Sequence, residues 1–139
     1  MVHINRNELS KEDLDGLFSQ FDTFLSKLDY GATSTLLNEL LGREERITLA
    51  KRLAVVILLH EGVSEYTSAK VLKLSPTTTG RIAEDMERGT YKKTIALLQK
   101  DKRDYVSLLD TIDSILHLGG LLPHRIGLER YRSLNKYSH

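Results

Sequence analysis

Between Ser75 and Arg81 the chain reads Ser75-Pro76-Thr77-Thr78-Thr79-Gly80-Arg81, which gathers short hydroxyl side chains and a guanidinium directly behind and after a proline. Hydroxyls of this kind hydrogen-bond phosphate oxygens and base edges, and a guanidinium pairs bidentately with guanine or holds a phosphate. Lys70 and Lys73 precede the stretch and Arg88 follows it. The chemistry on offer is recognition of a polyanion.

Bond-breaking chemistry finds little support. The chain has no cysteine, which excludes thiol nucleophiles, disulfides and cysteine metal sites. Its histidines, His3, His60, His117, His124 and His139, are scattered rather than paired at the i, i+3 or i+4 spacing a metal site on a helix uses. Glu44-Glu45 and Glu84-Asp85 are adjacent in sequence and diverge on a helix, so neither is a general acid/base pair. No nucleophile elbow or phosphate loop is present, and an enzyme is not expected.

The elements that must position these side chains are helical, because apolar residues recur at i, i+3 and i+4 and no period-two stretch occurs. Ser10, with Asp13 three positions on, opens a helix carrying Leu14, Leu17, Phe18, Phe21, Phe24, Leu25 and Leu28, which Gly31 ends. A short helix holds Leu36, Leu37, Leu40 and Leu41. A longer one runs from Arg43 to a stop near Gly62, and its apolar residues broaden at Val55 to Leu59, as expected of the most enclosed helix. Ser64 caps a segment from Glu65 to Leu72. After the tight link Lys73-Leu74, Ser75 is a good N-cap, and Pro76 suits the first turn, where its missing N–H has no intrahelical partner. That helix has Thr79, Ile82, Ala83 and Met86 on one side and closes at Gly89. Thr90 caps the next, to about Lys100, and a last helix covers about Asp104 to His117.

Two short helices joined by a tight turn, the second opened by Ser-Pro, form the outline of a helix-turn-helix at about residues 64–88. Leu74 plugs the turn inward while Thr77, Thr78, Arg81 and Asp85 oppose Ile82 and Met86. From spacing alone, two packed helices with an ordinary loop fit as well.

The order of several motifs resembles the Trp repressor family. These are Leu36-Leu37-Asn38-Glu39-Leu40-Leu41, Glu44-Glu45-Arg46, Leu49-Ala50-Lys51-Arg52-Leu53, Gly62-Val63-Ser64 and Leu72 through Arg81, and the likeness covers roughly residues 20–90. The resemblance implies an all-α helical bundle, an intertwined homodimer with interlocking N-terminal helices, and Glu65–Leu72 with Pro76–Arg88 as the DNA-reading pair. It also places Arg52 and Arg81 where two arginines clasp the tryptophan corepressor. The pattern departs from the family at that pocket: Ile82 and Asp85 replace a glycine and a serine, and Gly42 replaces a threonine. Family positions that touch DNA are here Tyr66, Ala69, Pro76, Thr77 and Gly80, so another operator is implied. Read as residues alone, Arg52 can instead pair with neighbours such as Glu45 one or two turns away, and Arg81 with Glu84 or Asp85.

Length, 139 residues with 40% hydrophobic and 28% charged, suits one all-helical domain, expected over 1–118, followed by a basic tail, 119–139. No apolar run approaches the roughly 18 residues of a membrane span. The polar start Met1-Val2-His3-Ile4-Asn5-Arg6 is unlike a signal peptide, so a soluble cytoplasmic protein is expected. The net charge of +1 is uneven: residues 1–30 hold three basic and six acidic side chains, 31–90 hold eight of each, and 91–139 hold nine and five. The basic C-terminal third, including Lys92, Lys93, Lys100, Lys102 and Arg103, is therefore expected to add phosphate attraction. The expectation is a homodimeric, DNA-binding transcriptional regulator that contacts double-stranded DNA through Lys70, Lys73, Ser75, Thr77, Thr78, Arg81 and Arg88. It needs no cofactor, although an amino-acid corepressor at Arg52 and Arg81 is the ligand the resemblance implies. The alternative is a helical protein–protein interaction module without DNA binding, which the acidic Glu84, Asp85 and Glu87 favour.

Overall fold

The structure, a computed structural model, describes residues 8–118. Among them are seven α-helices and no strand: α1 Lys11–Leu25, α2 Tyr30–Leu40, α3 Arg43–His60, α4 Glu65–Leu72, α5 Pro76–Glu87, α6 Lys92–Gln99 and α7 Lys102–Leu118. The chain is all-α over this range. No helix in it is long and apolar enough to cross a membrane. The expected tail, 119–139, lies outside the described residues. Internal contacts divide the chain into two units, Met1–Arg46 and Ile47–His139.

In the first unit, the Ser10 hydroxyl accepts the Asp13 N–H at 3.1 Å and starts α1. The helix does not continue to Gly31 as its apolar spacing predicts. It stops at Leu25, because Asp29 adopts an extended backbone and its carboxylate accepts the Ala32 N–H at 2.8 Å, which nucleates α2 at Tyr30. Gly31 is thus in the first turn of a new helix, not at the end of the old one. Leu41 is extended, and the Glu45 carboxylate reaches back to the Gly42 N–H at 3.2 Å, the reciprocal half of a capping box for α3. Neither α1 nor α2 has a buried residue. The apolar face of α1 is open, with Leu17 58%, Phe18 59%, Phe21 47% and Phe24 50% exposed.

The second unit holds the core. Val55, Val56, Ile57 and Leu58 of α3 are consecutive and all buried, and four neighbours can be buried together only when a helix is surrounded on all sides. Around them pack Leu72 of α4, Ile82 of α5, and Tyr105, Leu109, Ile112 and Leu116 of α7. The spacing of the α7 residues alternates four, three and four, which is one continuous helical stripe. α7 lies beyond the segment that resembles the Trp repressor family, yet it supplies as much of the buried core as α3 does. Tyr105 donates its hydroxyl to the buried Glu61 carboxylate, joining α7 to the end of α3 by a polar link inside the core.

Three of these helices end with the same device. Past α3, the Val63 N–H reaches Leu58 C=O at 3.0 Å and the Gly62 N–H reaches Leu59 C=O at 3.1 Å. Past α4, Leu74 bonds to Ala69 and Lys73 to Lys70; past α5, Thr90 bonds to Asp85 and Gly89 to Met86. Each is a Schellman closure, which needs a left-handed residue just beyond the helix. Gly62 and Gly89 supply it with φ of 91° and 82°. Thr90 is consumed by the α5 closure, so it does not cap α6; Tyr91 stands at that N-cap position without a side-chain cap bond.

Candidate functional site

α4 and α5 are held together by the short connection the sequence suggests. Ser64 accepts the Thr67 N–H at 3.1 Å to start α4. Lys73 then turns the chain with a left-handed backbone, φ 55° and ψ 49°, the sole non-glycine residue with positive φ among those described. Leu74 follows, half-buried against the core, and so plugs the turn. Ser75 accepts the Thr78 N–H at 3.1 Å and Pro76 occupies the first helical position of α5. On the inward side of α5, Thr79 and Ile82 are buried. Thr79 returns its hydroxyl to the Ser75 carbonyl at 3.2 Å.

The polar side of α5 is ordered by the same spacing. Thr77, Arg81, Glu84 and Arg88 succeed one another at i+4, i+3 and i+4 and are all exposed, so they form one outward ridge. Among the described residues neither Arg81 nor Arg52 is ion-paired, so the local bridges to Glu84, Asp85 or Glu45 are not made. Ser75 and Thr78 are exposed, but they use their hydroxyls on each other at 2.9 Å as well as on the cap. They build the start of α5, and Thr77 has the hydroxyl of this group turned outward without such a bond. Lys70 and Lys73 are exposed at the α4 end, with the Lys70 ammonium 5.7 Å from the centre of the exposed Tyr66 ring. Arg88 is at the opposite end, about 18 Å along the α5 axis from Pro76 at 1.5 Å per residue. The predicted residues are thus spread along the helix pair, with Lys70 and Lys73 at the end of α4, Thr77 in the first turn of α5, Arg81 at its middle and Arg88 at its C-cap.

A cleft of about 390 Å³ runs between the two helices, with Tyr66, Lys70, Pro76 and Thr79 among its walls. Sequence reading gave Tyr66 only as a departure from the family. Its 73% exposure on the same side as Lys70 makes it a further member of this surface. The signal available in the sequence was an aromatic residue in the first turn of a short amphipathic helix.

The two arginines that the resemblance assigns to a corepressor lie on different helices. Arg52 is exposed on α3 and Arg81 on α5, but the place of the family's glycine is filled by Ile82, which is 4% exposed and part of the core. Asp85 is half-buried beside it. Gly80 has no close neighbour that requires it: a Cβ built there would meet only the Glu65 carboxylate, at 3.9 Å. Lys92, Lys93, Lys100, Lys102 and Arg103 are exposed on α6, α7 and their connection. No group of three or more histidine, aspartate or glutamate side chains that could hold a metal ion occurs among the described residues. In comparisons with known proteins, the chain matches no family model, no curated protein and no solved structure.

Proposed function

We propose that this protein is a DNA-binding transcriptional regulator that acts as a homodimer, with α4 and α5 as a helix-turn-helix and α5 in the major groove. The observation that carries the reading is the outward ridge of α5. Thr77 and Arg81 are exposed near the start of a helix whose opposite side is fixed by Thr79 and Ile82. A short hydroxyl and an unpaired guanidinium near a helix N-terminus are what reads base edges in a groove about 12 Å wide. Lys70 and Lys73 flank them as phosphate anchors.

What supports the dimer in this reading is the first unit. An amphipathic helix with the exposed Leu14, Phe18 and Phe21 on one face, and no buried residue in α1 or α2, presents the kind of contiguous apolar patch that marks an interaction surface. A second copy covers it by a self-complementary two-fold contact. Two copies of α5 then meet successive major grooves, about 34 Å apart.

In vitro selection from a random duplex pool tests the reading. The full chain should enrich a two-fold symmetric site with half-sites one helical turn apart, and Arg81→Ala should lose that enrichment. A pool that stays random after selection at low salt would leave the helix pair as a protein-binding surface, the use that Glu84 and Glu87 on its exposed side would suit.

A further inference from the structure

The C-terminal half of α5, the end of α3 and α6 border a half-open cavity of about 360 Å³ within the second unit. Its walls divide by chemistry. Met86, Ile95 and Ala96 make an apolar side, the half-buried ring of Tyr91 adds an aromatic surface, and His60 and Gln99 make a polar one. The side-chain nitrogens of the latter two lie 3.2 Å apart, so α3 and α6 are joined by a hydrogen bond at the cavity wall. Lys92 is the remaining lining residue and is exposed. Its stem lies against the Gly89 turn: a Cβ at Gly89 would come within 3.2 Å of Lys92 Cε and 3.3 Å of Cδ. No carboxylate is among these lining residues.

From these features we infer that the cavity is a binding site for a small aromatic carboxylate. The volume falls within the range that holds small ligands. Apolar and aromatic walls select a flat apolar body, and Lys92 selects one negative charge at the entrance. The site is separate from Arg52 and from the outward ridge of α5, since Met86 lies on the inward side of that helix. Its occupant touches α3, α5 and α6 at once and therefore stabilises the folded unit by mass action. This holds whether or not α5 enters DNA.

The test is a titration of the full chain, with methyl-labelled methionine and isoleucine, by phenylacetate and 2-naphthylacetate and by the neutral phenylacetamide. The acids should move the Met86 and Ile95 methyl signals, raise the melting temperature, and bind about tenfold more tightly than the amide, a ratio typical of one partly desolvated ion pair. Lys92→Glu, at an exposed position that leaves the core intact, should erase the preference for acid over amide. Ala96→Trp should fill the cavity and abolish both. Absence of shifts at Met86 and Ile95 up to millimolar acid would overturn the inference. So would shifts confined to other methyls, or an acid preference that survives Lys92→Glu.

Discussion

Lys73 combines a strained backbone with a proposed contact to phosphate. The left-handed conformation it adopts after α4 costs a side chain about 1–2 kcal/mol relative to glycine, which the other two closures of this kind use. A lysine there, exposed just before the Ser75 cap of α5, suits the proposed phosphate anchor at some expense of stability. Lys73→Gly should therefore raise the unfolding free energy by about 1 kcal/mol in denaturant titration while weakening duplex binding. A variant that is both more stable and equally tight on DNA would remove Lys73 from the interface. Gly80 is the opposite case. It stands within a helix with room for a methyl group, so Gly80→Ala should stabilise by roughly 0.5–1 kcal/mol, read as a higher melting temperature.

At the scale of elements, the strongest sequence signals were the local ones. Ser10, Ser64 and Ser75 cap the helices they precede, and Pro76 sits at the first position of α5, because each satisfies an N–H or conformational need within four residues. Gly62 and Gly89 stop helices for an equally local reason. The break at Asp29 was hidden, since the apolar spacing runs unbroken through Leu25 and Leu28 while a single carboxylate restarts the helix. Thr90 misled because a good capping residue was already committed to the preceding closure. Among the site residues, Lys70, Lys73, Thr77 and Arg81 are all exposed, whereas the use of the Ser75 and Thr78 hydroxyls in the α5 cap depends on hydroxyl rotation that spacing does not encode. The weight of α7 was not legible from a resemblance that ends near residue 90. Because Leu109 is fully buried there, Leu109→Ala should cost about 2–5 kcal/mol in chemical unfolding. A loss below about 0.5 kcal/mol, the size of an ordinary surface change, would mean that α7 is not part of the core.

For the whole molecule, the two units differ in what they bury. The core of α3 to α7 is complete within one chain, whereas α1 and α2 bury nothing of their own. A dimer joined through α1 accounts for that contrast. Sedimentation should give the mass of two chains, and Phe18→Asp with Phe21→Asp should give one chain while the buried core keeps its helical signal. Wild-type protein that sediments as a single chain at micromolar concentration would refute the dimer. The even charge of residues 31–90 sets a second expectation at this scale. With eight basic and eight acidic side chains in that stretch, affinity for DNA must come from where the cations sit, and it must fall with salt as counterions are released.

That salt dependence provides the most direct test of the central claim. Fluorescence anisotropy of a labelled, selected duplex should be followed across a salt series for the wild-type chain and for Arg81→Ala. The account predicts saturable wild-type binding that weakens linearly in log–log form with salt, and a loss for Arg81→Ala of about 1–3 kcal/mol on the selected site but little on an unrelated one. Binding that is absent at low salt, or that is the same for both proteins on both duplexes, would contradict it.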